Sequence, residues 1–196
     1  MLFLNVDQLL AIRLMESSFD GNPAVHFSIG NGRGYARRKK ELALFMYRFC
    51  ALRNGVYFSD DEQAIMLFYH SAMKVPFWKN FFIEARLVIK ALGARRAVLT
   101  FLRKLKIDHH RRAVGPHLHC WYLGAAPEGR HYSSAAQLRD LLYAESDRQG
   151  IPVLAETTML QNKNVYERMG FVVYASVEFS GMKTYLLRRD PKTRPH

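Results

Sequence analysis

At 196 residues, 49% of them apolar, the chain is long enough to bury a substantial core, which excludes a disordered tail. No apolar run approaches the roughly 20 residues a membrane-crossing helix needs, and the N-terminal stretch lacks the basic start and small-residue cleavage site of a secretory signal. Twenty-nine Lys and Arg against seventeen Asp and Glu leave a net charge of +12, which points to an anionic partner without choosing among nucleic acid, an acidic membrane surface and a small molecule.

Apolar positions 9, 10, 12, 14 and 15 predict a first helix over residues 8–19, closed by Gly21-Asn22-Pro23. Val25, Phe27 and Ile29 alternate with His26 and Ser28, so residues 24–29 read as a half-buried strand and Gly30 to Gly34 as its turn. Those glycines lack the spacing of a phosphate-binding loop. A long helix over 36–54 begins with Arg37-Arg38-Lys39-Lys40, most simply a solvated first turn, although four cations there oppose the helix dipole and point to a nearby anion. Residues 55–59 and 64–69 predict a hairpin turning at Asp60-Asp61. Helices follow at about 80–92 and 95–107, separated by Gly93. The remaining elements are a strand at 117–124, a helix at 134–149, a strand at 153–157, a short helix at 162–169, and strands at 172–177 and 184–187. This order, a hairpin followed by a strand-helix-strand unit and a second hairpin, implies a mixed α/β sheet in one domain, 1–196, with a helical insertion at about 78–108.

Cys50 and Cys120 are too few for a disulfide framework and fit no paired metal-ligand spacing, so buried free thiols in a reducing cytoplasm are expected. His117 and His119 would share a strand face, but with no second ligand pair no metal is expected, and the two rings line the substrate side or the sheet rim. The basic stretch 95–112 reads either as a solvated helix surface or as a face toward an acidic acceptor, a membrane or nucleic acid. Aromatic residues are not interleaved with its cations and no nucleic-acid motif is present, which argues against a nucleic-acid-binding module.

Near the C-terminus Glu156-Thr157-Thr158 is followed by Asn162 and then by Tyr166-Glu167-Arg168-Met169-Gly170-Phe171. This run resembles the second half of a GNAT-fold (Gcn5-related) N-acetyltransferase. The resemblance spans about 58–187 and is strongest over 152–171. It implies an α/β (α+β) fold, a mixed, mostly antiparallel central sheet flanked by helices. It also implies acetyl-CoA as cosubstrate and a small-molecule or peptide amine as acceptor. In the family a strand runs into a pyrophosphate loop of the form Gln/Arg-x-x-Gly-x-Gly/Ala. Arg130, Ser133 and Ala135 fall on those positions, with His131, Tyr132 and Ser134 between them. Backbone N–H groups and the positive end of a helix would there face the CoA phosphates. Ser133 departs from the pattern, since glycine allows the closest backbone approach. The resemblance therefore implies weakened binding. Read without the family, the same residues form an ordinary strand-turn-helix with an exposed Arg130.

The resemblance also assigns roles. Tyr166 would donate a proton to the departing thiolate, the alternative being a core tyrosine packed on Gly170-Phe171. Asn162 would lie beside the pantetheine, the alternative being a helix N-cap. Glu156 would act as base toward the amine, the alternative being a strand carboxylate paired with an arginine. Backbone N–H groups at Ala125 or Ala126 would hold the thioester oxygen. Transfer is expected to be direct, because Cys120 and His119 point to opposite faces of a strand. Two other functions stay open: a catalytically weak CoA-binding or basic adaptor domain, and a nucleic-acid-binding protein. A hairpin edge at 182–188 offers a surface for a homodimer.

Overall fold

A computed structural model describes residues 4–126 and 132–192. Strands β1 (Val56–Phe58), β2 (Ala64–His70), β3 (Leu118–Ala125), β4 (Val153–Thr157), β5 (Val172–Phe179) and β6 (Met182–Arg189) form one sheet in the order β1-β2-β3-β4-β6-β5. All neighbours are antiparallel except β3 and β4. The mixed, mostly antiparallel sheet expected from the sequence is therefore present. A parallel pair requires a crossover, and α6 (Tyr132–Gln149) supplies it.

The other helices are α1 (Val6–Phe19), α2 (Pro23–Ile29), α3 (Tyr35–Ala51), α4 (Phe77–Leu87), α5 (Gly93–Arg112) and α7 (Leu160–Arg168), with a π-helical segment, Val88–Leu92, joining α4 to α5. Alternate strand residues point to opposite faces, so each face builds its own core. Ile65 and Leu67 pack with Leu14, Met15 and Leu44 of α1 and α3. On the other face Ala64, Met66 and Cys120 pack with Leu138 and Leu142 of α6. Covered on both sides, β2 is apolar without alternation at its start, Ala64-Ile65-Met66-Leu67. Val177 and Leu186 lie beneath Ile107 of α5.

Three local expectations are corrected. Residues 24–29 are helix, not strand: the Asn22 side chain accepts from the Ala24 N–H at 3.0 Å and Pro23 occupies the first turn, a strong helix start. The short helix begins at Leu160, because the Thr157 hydroxyl accepts the Met159 N–H at 3.1 Å and starts the turn early; Asn162 is then inside the helix and not its cap. The edge of the final hairpin is β5, since β6 is held between β4 and β5.

At the basic start of α3, Arg37 and Lys40 are exposed, whereas Lys39 and Arg38 have found partners. Lys39 pairs with Asp20 at 2.8 Å, and Arg38 donates to the Ile29, Arg33 and Gly32 carbonyls, closing the 30–34 turn. The 95–112 stretch is divided as well. Arg103 turns inward to donate to the Thr184 hydroxyl at 3.0 Å, and Arg111 is likewise buried against the sheet.

Candidate functional site

The sheet opens between β3 and β4. Their parallel pairing covers only Leu118 with Val153 and His119 with Leu154, although β3 continues to Ala125 and β4 to Thr157. An irregularity lies two residues further along β3. Leu67 pairs with Tyr122 and Phe68 with Cys120, which leaves Trp121 as an extra residue, a bulge that bends and twists the strand locally. Trp121 and Tyr122 consequently pack on the same face, Trp121 against Phe45 and Phe49, and Tyr122 against Phe19.

The register fixes which backbone groups face the opening. Ala64 exchanges hydrogen bonds with Ser59 on the β1 side, and Ala126 donates to the Gln63 carbonyl at 2.7 Å on the β2 side. In an antiparallel ladder these roles alternate, so the N–H groups of Leu123 and Ala125 point away from β2 and into the gap. Of the two alanines expected as backbone donors, Ala126 has its N–H satisfied within the sheet. Leu123 was missed because no side-chain identity marks a free backbone donor.

Tyr166 lies on the α6 side of the sheet. Its ring packs edge-on to Phe171 at 5.2 Å, and it joins the core around Cys120, Leu138 and Ala155. Burial raises the phenol pKa, with further contributions from Cys120, Tyr143, Tyr122 and Glu156, so the phenol is protonated at neutral pH. Burial likewise pushes the Cys120 thiol up to about 12, too high for a thiolate nucleophile. Asn162 is exposed, its amide near the Met159 sulfur at 3.7 Å.

On the opposite face Glu156 meets a buried polar cluster. Its Oε1 lies 2.9 Å from Arg111 Nη2, and the same nitrogen donates to His119 Nε2 at 3.3 Å. Arg111 Nη1 reaches Asp108 at 3.1 Å. Burial opposes the charge on Arg111, yet Glu156, Tyr69 and Asp108 together outweigh it and raise the guanidinium pKa above its ordinary value. Because a guanidinium only donates, His119 Nε2 must accept and Nδ1 carries the proton. Burial, then the Arg111 charge, holds this imidazole neutral. Two buried atoms here, Glu156 Oε2 and His119 Nδ1, have no hydrogen-bond partner. Glu156 thus satisfies the ion-pair alternative through one oxygen and keeps the other unused. A cleft of about 330 Å³ beside the cluster is lined by Tyr69, Ser71, Asp108, Arg111 and His117 among others. The Asp108/Arg111 spacing hints at an ion pair, but nothing in the sequence joins Arg111 to Glu156.

Arg130 and His131 lie outside the described residues, as does the side chain of Tyr132. Ser133 is exposed at the start of α6, and Ala135 is half-buried. The first-turn N–H groups of α6 have no intrahelical acceptor. Ser134 is buried and does not face outward for a ligand: its hydroxyl donates to Asp61 Oδ2 at 2.7 Å, and Gln137 donates to Asp60 at 3.0 Å. The two carboxylates of the β1–β2 turn therefore sit against the positive end of α6.

No protein-family profile matches the chain. Among solved structures, the chain is similar to a Corynebacterium glutamicum protein described as histone acetyltransferase HPA2 and related acetyltransferase, at 14% identity and a TM-score of 0.66, covering 100% of this chain and 97% of that one. Similarity extends to the arylalkylamine N-acetyltransferase 2 of Aedes aegypti, at 13% identity, TM-score 0.58 and 95% and 94% coverage. The polyamine N-acetyltransferase of Drosophila melanogaster matches at 14% identity, TM-score 0.55 and 94% of each chain. At these identities the likeness is one of fold, and the fold is that of the GNAT acetyltransferases.

Proposed function

We propose that this GNAT-fold chain is an acetyl-CoA-dependent N-acetyltransferase that moves the acetyl group directly onto a primary amine. The observation that carries the reading is the β3–β4 opening, with the Leu123 and Ala125 N–H groups directed into it, Tyr166 on one side and an unpartnered Glu156 oxygen on the other. When bound there, acetyl-CoA would supply an activated acyl group as its thioester. The two N–H groups would hold the carbonyl oxygen as negative charge develops on it, a form of stabilisation that costs no reorganisation. Glu156 Oε2 would take the proton from the incoming ammonium, and the Tyr166 phenol would give one to the departing sulfur. The buried, high-pKa Cys120 supports direct transfer over a covalent enzyme intermediate.

The amines handled by the structural neighbours, arylalkylamines and polyamines among them, form a rational first acceptor panel. The test is release of free CoA from acetyl-CoA in the presence of each amine. An amine-dependent rate that collapses in Tyr166→Phe supports the reading, and a rate indifferent to that change removes Tyr166 from it. A second reading, a CoA-binding or basic adaptor domain with little turnover, draws support from Asp61, whose carboxylate already occupies the start of α6 where a pyrophosphate would bind. Under that reading Asp61→Asn tightens CoA binding while no amine is acetylated.

A further inference from the structure

Helix α4 has two apolar faces. Leu87 packs against the core that includes α3, and α4 is tied to α3 by the Arg86–Glu41 ion pair at 2.8 Å and to the turn after it by Arg53 donating to Asn80 at 3.0 Å. At 100° per residue, Phe77, Trp78, Phe81 and Phe82 fall within an arc of about 140° on the opposite side. All four rings are solvent-exposed, at 81%, 59%, 54% and 66%, and α4 contains no buried residue at all. The rings meet one another, Phe77 stacking on Phe81 at 6.2 Å and Phe81 meeting Phe82 at 5.9 Å. A surface helix ordinarily turns charged residues outward, so an aromatic outer face marks a surface that is covered in use.

The surrounding charge says what covers it. Lys74, Lys79, Lys90, Arg95 and Arg96 are all exposed, and between residues 71 and 107 there is a single acidic residue, Glu84. Lys79 also lies over the Trp78 ring at 5.4 Å. A second copy of the chain would bring one basic rim against another on a molecule that already carries +12. An anionic bilayer surface meets both demands: headgroups receive the cations, and the acyl boundary takes Trp and Phe rings from a protruding helix without a shape-matched groove. We propose that α4 is an interfacial anchor by which the protein binds, without spanning, membranes rich in anionic lipid.

The experiment is flotation of the full chain with vesicles of about 3:1 phosphatidylcholine to phosphatidylserine, and with phosphatidylcholine alone, while tryptophan emission is recorded. The chain has two tryptophans, and Trp121 is already packed among core rings, so a shift to shorter wavelength reports on Trp78. The proposal expects flotation with the anionic vesicles only, a blue shift that Trp78→Phe abolishes without releasing the protein, and weakening by salt. Phe81→Ser with Phe82→Ser should reduce binding roughly ten-fold or more for each ring removed. Should that pair of changes impair folding, Lys79→Glu with Lys90→Glu tests the same surface through its charge. Absence of flotation in the wild type would overturn the proposal. So would flotation of the serine variant equal to that of the wild type, which would trace binding to net charge alone, or a vesicle-independent dimer that the serine changes disperse.

Discussion

Tyr166 and Arg111 carry opposite chemical burdens, and each can be tested by removing a few atoms. Burial keeps the Tyr166 phenol protonated, so Tyr166→Phe deletes the proposed proton donor while preserving the packing on Phe171. Turnover is expected to fall by about 10²- to 10⁴-fold, with KM for acetyl-CoA little changed. Arg111 is a counter-ion of Glu156 and Asp108, and Arg111→Met leaves the half-buried Glu156 without it and Asp108 with Lys104 alone. Urea unfolding should register a loss of about 3–5 kcal/mol, part of it recovered when Glu156→Gln is added. Strict additivity of the two changes would show that they are not coupled. His117 and His119 are both held below the ordinary imidazole pKa, chiefly by burial. The unfolded chain therefore binds protons at these sites that the folded chain refuses. Their contribution to stability is complete above the unfolded imidazole pKa of about 6.5 and is lost as pH falls from there toward the folded values. Melting between neutral and mildly acidic pH should show this decline, and His119→Gln should flatten it.

The opening between β3 and β4 is a property of two strands and a bulge. Ala125 offers its N–H to the gap and not to β2, so proline there removes a donor without breaking a ladder bond. Ala125→Pro is expected to keep the cooperative melt and to lower kcat by about 10²- to 10³-fold; an unchanged kcat would exclude this N–H as an oxygen donor. The helix at 134–149 was legible from its apolar period, and the strand at 64–69, a continuous apolar run, from its short length and the Asp60-Asp61 turn before it. Residues 24–29 were not, because Val25 and Ile29 satisfy a period of two and an i, i+4 spacing equally, and Asn22-Pro23 decided the matter as a helix start. The site was legible in part. Glu156 and Tyr166 stand in a recognisable run, whereas the Trp121 bulge leaves no compositional mark. The partners of Glu156 arrive from α5, a helix whose cations looked alike in sequence until folding turned Arg103 and Arg111 inward.

Taken together, the chain keeps its chemistry and its surface charge on different parts of one frame. Tyr166 and Glu156 lie on opposite faces of the sheet, while the aromatic side of α4 is exposed to solvent. No helix among the described residues is long and apolar enough to cross a membrane. The balance between a transferase and an adaptor rests on the start of α6, where helix N–H groups and the Asp61 carboxylate share one small region. Calorimetric titration of the full chain with acetyl-CoA, beside Arg130→Ala, addresses that balance. Micromolar binding that weakens in the variant is the predicted result, and a folded wild-type protein that takes up no acetyl-CoA would contradict the transferase account.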